Sequence, residues 1–400
     1  MIQRLQLENF SVFKKATIEL SPKINVIVGE NGTGKTHLLK AAYALSSWRC
    51  SASAESKKAK SQLSSSFTEK LLRVFFPGEH ELKELVNRQS KESASLDISF
   101  ADGHSSRFSF KPRAKSASIE TPQKQISPCS KPIFFPAKEV LSFLPGIVSV
   151  GADNRAIQIL FDDSYLDLCM QLLVSASEID LDRDPRIGTL LPGITNAIRG
   201  KFHLKGNRLR FTPGKYEEKQ GSRSVKLAKI AERELADGES PSLPQLGDDL
   251  DTVFVPNSDG EQPGHITAEG FKKLGVLQQL LSNGSLSPGK SGTLFWDEPE
   301  SNVNPTLMRL IVESMLDMSR NGQQIILATH DYVLLKWFDL LEDTKQNDDV
   351  RYHALYRNGK TGEVEVETTN EYRLLNQNAI SDSFAELYDE EVRRALGGDE

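Results

Sequence analysis

An α/β fold organised around a phosphate-binding loop is what this sequence predicts, and four observations predict it. The stretch Gly29-Glu30-Asn31-Gly32-Thr33-Gly34-Lys35-Thr36 has the G-x-x-x-x-G-K-T spacing of the Walker A motif. The mostly apolar run Ile24 to Val28 precedes it, as a buried parallel strand would. His37 to Leu45 follows without glycine or proline, as a helix would. Far downstream, the apolar stretch Leu294-Phe295-Trp296 runs into Asp297-Glu298, the Walker B pattern.

Each part has a chemical reason. Glycines let backbone N–H groups curl inward around phosphate oxygens that side chains would otherwise block. The following helix points its positive end at the same oxygens. The loop residues Gly29, Glu30, Asn31, Gly32, Thr33 and Gly34, with His37 just beyond, are therefore the expected nucleotide cradle. Lys35 is spaced to reach the β- and γ-phosphates, and the Thr36 hydroxyl to ligate Mg²⁺. Asp297 would hold the Mg²⁺ shell, and Glu298 would accept a proton from the attacking water.

Composition sets the limits. The chain has 400 residues, enough for one large or two ordinary domains, and 38% hydrophobic content supports a core. With 49 basic and 55 acidic residues the net charge is −6, which argues against coating nucleic acid along the whole surface. Cys50, Cys129 and Cys169 are widely spaced and suggest neither a disulfide framework nor a zinc site, so a cytoplasmic setting is expected. No apolar run approaches membrane-spanning length, and the first residues lack a signal-peptide core, so no membrane partner is expected.

Along the chain, residues 1–20 read as two strands with a bend near Asn9 to Lys14. Phe13 could stack on adenine or serve as a core aromatic. Residues 46–131 read as an insertion: a Ser/Ala/Lys-rich loop from Ser46 to Ser66, helix from Phe67 to Arg88 broken at Pro77-Gly78, then a hairpin turning at Asp102-Gly103. Arg107, Lys111, Arg113 and Lys115, with Lys57, Lys58 and Lys60, could face nucleic acid or simply be solvated. Pro132 to Phe135 reads as a short buried strand, with Lys138 or Glu139 at its polar end either contacting water or metal, or starting a helix. Residues 153–262 read as a helical lobe, with helix from Ala156 to Ala176 and a hairpin over Lys201 to Phe211. Asp180, Asp182 and Asp184 alternate, but without the calcium-loop pattern they read as an acidic turn. A helix is expected over Val225 to Ala236.

A second informative block follows. His265 to Leu274 opens a helix that stops at Asn283-Gly284, and its start is a second anion-binding end. After Asp297-Glu298, Asn304 reads as the cap and Pro305 as the first residue of a helix running to Arg320. Gln323 to Thr329 is a buried strand ending at His330-Asp331. Residues 331–400 read as a helix (Tyr332 to Glu342), two strands (Arg351 to Tyr356, Glu363 to Thr368) and a terminal helix (Ser381 to Leu396).

In this order of motifs the chain resembles the ABC-type P-loop ATPases of the RecF, SMC and OLD branch, often described as AAA-domain ATP-binding proteins. The resemblance covers roughly residues 1–45 and 262–340. It implies one ATPase domain over residues 1–400, with a mixed central sheet, an antiparallel β flap, an inserted helical and β lobe, and residues 331–400 as an extension of the core. By the family's pattern Ala268, Glu269 and Gly270 match the signature motif, Asn302 to Pro305 the D-loop, and His330 the switch histidine that contacts the γ-phosphate. Phe135 to Glu139 lies where a Q-loop would be, although no Q-loop glutamine is evident. The signature serine is Ala268 here, so its hydroxyl contact is lost unless Thr267 or backbone N–H groups replace it. On this basis catalysis is expected from Lys35, Glu298 and His330, with ATP and Mg²⁺ bound.

The resemblance also implies partners. One chain carries one Walker A loop and one signature motif, and in this family the signature helix of one subunit completes the Walker site of another. A head-to-tail dimer, or higher oligomer, around ATP is therefore expected. Residues 331–400 lack the Glu and Asp-x-Asp constellation of a TOPRIM nuclease, and no heptad run of coiled-coil length exists. That leaves a standalone ATPase controlling a separate effector such as a nuclease or toxin, of the kind used in bacterial anti-phage defence. The alternative is a RecF-like repair ATPase that binds DNA. A transporter subunit fits least, because the signature departs from the transporter form and the insertion at 46–131 is long.

Overall fold

The computed structural model describes residues 1–54, 59–78, 81–120, 129–151, 154–175, 190–206, 208–218, 252–258, 260–375 and 379–396. The chain opens with β1 (Ile2–Phe10) and β2 (Phe13–Glu19), an antiparallel pair, then β3 (Ile24–Gly29) and α1 (Lys35–Ala54). After α2 (Lys60–Phe75) come β4 (Ala94–Phe100), β5 (Ser105–Phe110) and β6 (Ser118–Glu120). These extend the expected flap of β1 and β2 into an antiparallel sheet in the order β2-β1-β4-β5-β6, which takes in the hairpin of the expected insertion.

The inserted lobe follows β7 (Ile133–Phe135). It contains α3 (Leu144–Val150), α4 (Arg155–Leu160), α5 (Asp163–Leu172), α6 (Leu190–Ile198), β8 (Gly200–Lys205), β9 (Arg208–Glu218), β10 (Thr252–Pro256) and β11 (Gln262–Pro263). The β8–β9 hairpin turns at Gly206, whose φ of 60° favours glycine. The chain returns to the core through α7 (Glu269–Ser282), β12 (Leu294–Asp297), α8 (Met308–Arg320), β13 (Ile325–Thr329), α9 (Tyr332–Leu341), β14 (Val350–Arg357), β15 (Val364–Thr369) and α10 (Ala379–Ala395).

The central sheet has the order β15-β14-β3-β13-β12-β7, parallel except for β15. It is the expected mixed sheet of an α/β fold. β3 is buried along its whole length because both of its faces are covered. Val26 and Val28 join a core with α5, α7, α8 and α9, whereas Ile27 points into a second core with α1, α2 and the flap. Gln324 stitches the two sheets together. Its amide accepts from the Ile2 N–H (2.7 Å) and donates to the carbonyls of Ile2 (2.7 Å) and Ser21 (2.9 Å). Among the described residues no helix is long and apolar enough to cross a membrane.

Several expectations are corrected. The described residues of the stretch Ser46 to Ser66 are helical apart from the extended cap Ala59, as the end of α1 and the start of α2. Trp48 is the reason: buried, it packs edge-on to Phe108 (4.8 Å) and Phe67 (5.9 Å), while its indole N–H donates to Leu63 O and Ser66 Oγ. One aromatic anchor holds a serine-rich helix that propensity alone would leave weak. The second helical segment ends at Phe75, and only a short 3₁₀ turn, Leu82–Leu85, precedes β4. The expected single helix from Ala156 to Ala176 is two, α4 and α5. Asp162 divides them by capping α5, its carboxylate accepting from the Ser164 N–H at 2.8 Å. Cys50 and Cys129 are disulfide-bonded, against the expectation of unpaired thiols, while Cys169 is free and buried. Asp180, Asp182, Asp184, Lys57, Lys58 and the helix expected over Val225 to Ala236 lie outside the described residues.

Candidate functional site

Three walls build the phosphate loop. At its start, a side chain on Gly29 would meet the Leu355 carbonyl of β14 at 2.3 Å. At Gly34, φ is 94° and a Cβ would fall 2.5 Å from Val12 and 2.8 Å from the Phe13 ring. Phe13 is fully buried beneath the loop, so it is a core aromatic and not an adenine platform. At Gly32, Arg357 donates to the carbonyl at 2.9 Å from the end of β14. Only glycine fits Gly29 and Gly34, where backbone must approach backbone or ring.

Inside the loop, Lys35 Nζ donates to the carbonyls of Gly29 (2.7 Å) and Glu30 (3.0 Å). Thr33 ties the bend, its hydroxyl donating to Glu30 O at 2.8 Å, while Glu30, Asn31 and Gly32 are exposed at the tip. Burial pushes the Lys35 ammonium down, against the pull of Glu298, Asp297, Glu300 and Glu30. His37, one turn into α1, is exposed; its Nδ1 meets the Ser11 hydroxyl and its ring lies edge-on to Phe75.

The two Walker segments, far apart in sequence, meet here. Thr36 Oγ1 donates to the Asp297 carboxylate at 2.9 and 3.1 Å. Burial pushes the Asp297 carboxyl up to about 6, with the Thr36 hydroxyl pulling it back. A hydroxyl and a carboxylate side by side form a hard oxygen donor set, which fits Mg²⁺. The glycine cradle and a buried ammonium beside it fit a triphosphate.

Beyond Asp297 the backbone turns sharply. Glu298 has φ of 47°, a left-handed conformation that costs a non-glycine residue on the order of 1 kcal/mol. Its N–H donates to Ala328 O (2.9 Å), its carbonyl accepts from Lys273 Nζ (2.5 Å), and its carboxylate accepts from Ser301 Oγ (2.9 Å). His330 Nδ1 lies 3.5 Å from Glu298 Oε1 and 3.4 Å from Glu300 Oε1. Glu300 also accepts from Thr329 Oγ1 (2.8 Å) and the His330 N–H (3.1 Å), and its burial raises its pKa. The fold thus brings Thr36 to Asp297, His330 to Glu298, and Lys35 within the influence of both carboxylates. Ser301, Glu300 and Lys273 were missed; Glu300 stands in plain sight in Asp297-Glu298-Pro299-Glu300, but Lys273 carries no motif of its own.

The signature segment sits elsewhere on the chain's surface. Ala268 is the N-cap of α7 and provides no side-chain cap, so backbone N–H groups are what that helix end offers an anion. Glu269 turns to Lys272 (3.0 Å). Gly270 lets the D-loop approach: a Cβ there would lie 3.2 Å from the Asn302 carbonyl. Thr267 does not replace the missing serine, because its buried hydroxyl donates to Gly264 O at 2.8 Å. Asn304 does cap the next helical turn, its side chain accepting from the Thr306 N–H at 3.0 Å. Glu139 is no metal contact: its carboxylate accepts from the Ser142 N–H (3.1 Å) and faces Lys272 (3.5 Å).

The suggested basic patch is partly neutralised. Arg107 stands on the flap among Glu8, Asp97 and Glu120, at 3.6 to 3.9 Å. Lys111, Arg113, Lys115 and Lys60 are exposed.

Comparison with known proteins follows this geometry. A family profile described as "AAA domain, putative AbiEii toxin, Type IV TA system" matches residues 24–336. The DNA replication and repair protein RecF of Chlamydia abortus is 53% identical over 45 residues, which is 11% of this chain and 12% of that protein. RecF of Staphylococcus haemolyticus is 43% identical over 44 residues, again 11% of this chain and 12% of the relative. The chain thus matches only a small part of these relatives' length. Among solved structures, an SMC head bound to the C-terminal winged-helix domain of ScpA has a TM-score of 0.48 at 13% identity, covering 92% of this chain and 97% of that one. The SMC head of Thermotoga maritima has a TM-score of 0.42 at 12% identity, covering 92% and 98%. With the family profile spanning most of its length and both Walker segments inside the match, the chain belongs to this AAA-domain family of P-loop ATPases.

Proposed function

We propose that this protein binds and hydrolyses ATP, dimerises head to tail around it, and uses that state to control a separate effector such as a nuclease or toxin in anti-phage defence. The observation that carries the reading is the Thr36–Asp297 contact, which joins a phosphate loop to an acidic strand end 261 residues away. The family's description names a toxin of a type IV toxin–antitoxin system, which supports a role within a paired system.

The proposed chemistry is as follows. Loop N–H groups and Lys35 bind and orient the triphosphate, and His37, at the start of the same helix, is set against Ser11 and Phe75. Thr36 and Asp297 would hold Mg²⁺, which neutralises phosphate charge when bound. Glu298 takes the proton of the water that attacks the γ-phosphorus; the bond to the β-phosphate oxygen breaks and ADP leaves with that electron pair. His330, beside Glu298, donates to the γ-phosphate oxygens. The backbone amides of Ala268, Glu269 and Gly270 from a partner copy close the site over the same phosphate.

Sizing the Glu298→Gln protein by light scattering tests the dimer. A doubled mass that needs ATP is expected, and a monomer at high protein and ATP overturns it. Lys35→Ala should lower ATP retention at least a hundredfold in equilibrium binding; unchanged retention removes the ATPase reading itself. RecF-like DNA binding is the second reading, favoured by the short RecF match; ATP-dependent, salt-sensitive DNA binding lost on substituting Lys111, Arg113 and Lys115 would establish it instead.

A further inference from the structure

Two neighbouring lysines on α7 behave unlike surface lysines. Lys272 and Lys273 are 6% and 5% exposed. The Lys272 ammonium is spent on Glu269, Ser142 and Glu139. Lys273 reaches across to the acidic strand end, and its single hydrogen bond among the described residues is to the Glu298 carbonyl. The same carbonyl accepts from the Ser301 N–H at 3.1 Å, closing the turn whose side chain Ser301 Oγ also grips the Glu298 carboxylate. Glu300, the carboxylate that most favours the charged form of Lys273, has one buried carboxylate oxygen, Oε2, without a hydrogen-bond partner.

We propose that Lys273 is a positioning residue for Glu298: its ammonium holds the Glu298 carbonyl and thereby keeps the left-handed turn that aims the Glu298 carboxylate. The inference rests on the reading of Glu298 as the proton acceptor. Three features carry it. Glu298 occupies a backbone conformation that persists only when its surroundings over-determine it. Its N–H is held by β13, its carbonyl by Lys273 of α7 and by the Ser301 N–H, and its carboxylate by Ser301 Oγ. A buried ammonium costs several kcal/mol unless it is compensated, and here the compensation is one carbonyl and three nearby carboxylates, Glu300, Glu298 and Asp297. Burial nonetheless pushes Lys273 down to about 8, so this charge is maintained against a standing penalty.

The arrangement also links elements. Lys273 lies on the helix whose first turn bears Ala268, Glu269 and Gly270. A displacement of that helix would move the Glu298 turn of the same chain. Signature helix and proton acceptor are thus mechanically joined within one subunit.

The test is Lys273→Met in the full chain, read in two ways. Hydrogen exchange of the 298–301 turn, without nucleotide, should speed up at least tenfold while the exchange of β3 stays unchanged. Steady-state hydrolysis should show kcat reduced tenfold or more with KM within threefold, and Lys273→Arg, which keeps a donor and a charge, should recover most of it. In a Glu298→Gln background, Lys273→Met should cost no further rate, because its effect runs through that residue. A folded Lys273→Met protein with wild-type exchange and kcat overturns the proposal, as does an equal loss in the Glu298→Gln background. If Lys273→Met fails to fold, Lys273→Arg decides: wild-type exchange at the turn supports the link, and accelerated exchange with an unchanged kcat overturns it. Wild-type protein that hydrolyses nothing refutes the ATPase reading separately, while the exchange measurement still decides the Lys273–Glu298 link.

Discussion

His353 shows how tightly a single side chain can be dictated. It lies within the central sheet, where Nδ1 meets Thr368 Oγ1 at 2.9 Å and Nε2 meets Asn25 Oδ1 at 3.3 Å. The Asn25 carbonyl oxygen accepts, its amide nitrogen being spent on Ser21 O, so the Nε2 of His353 carries a proton. Burial pushes its pKa down to about 3. The unfolded chain therefore binds a proton that the folded chain refuses between that value and about 6.5. Stability from this group is complete above pH ~6.5 and is lost as pH falls toward 3. Urea unfolding at pH 5 should show about 2 kcal/mol less stability from this source than at pH 7.5, and His353→Gln should flatten the slope. Residues of this kind were illegible beforehand, because a histidine in a strand has no pattern. Lys35, Thr36 and Asp297 were legible because phosphate and metal chemistry demands those types at those spacings. Lys273 fell between the two: functional placement without a motif.

At the scale of elements, what the sequence disclosed was periodicity. β3, β12, β13 and the hairpin strands β4 and β5 stand within a residue or two of expectation, since buried strands show as apolar or alternating runs. The Ser46 to Ser66 stretch misled because its apolar residues, Trp48, Cys50, Leu63 and three alanines, are sparse and show no helical period, and tertiary packing on Phe108 outweighs that. The α4–α5 break was missed because its cap, Asp162, lies in a run that is otherwise helix-forming. Packing between α7 and the lobe makes its own prediction. A Cβ on Gly275 would lie 2.3 Å from the Phe202 ring, which is fully buried and cannot retreat. Gly275→Ala should cost about 1–3 kcal/mol in chemical denaturation, whereas the same change at Gly359, where a Cβ meets open space, should be nearly neutral.

Taken as one molecule, the fold depends on closures between remote segments. The Cys50–Cys129 bond closes a loop of 79 residues between α1 and the approach to β7. Chain-entropy arguments give such a bond about 4 kcal/mol. Oxidised protein should unfold at a higher denaturant midpoint than protein in strong reductant, and Cys50→Ser should abolish the difference. The bond escaped the sequence because three cysteines at irregular intervals specify no pairing. The phosphate loop is the other case. One of its walls comes from Val12 and Phe13, near the start of the chain, and another from Leu355 and Arg357, more than three hundred residues later. A nascent polypeptide still on the ribosome carries the whole Walker A motif long before β14 emerges to flank β3. It should therefore be unable to retain ATP until β14 has emerged, and a polypeptide stopped at residue 343 should be as nucleotide-blind in equilibrium dialysis as the Lys35→Ala protein. Nucleotide would then discriminate between nascent chains, rewarding only those that have been translated past Arg357.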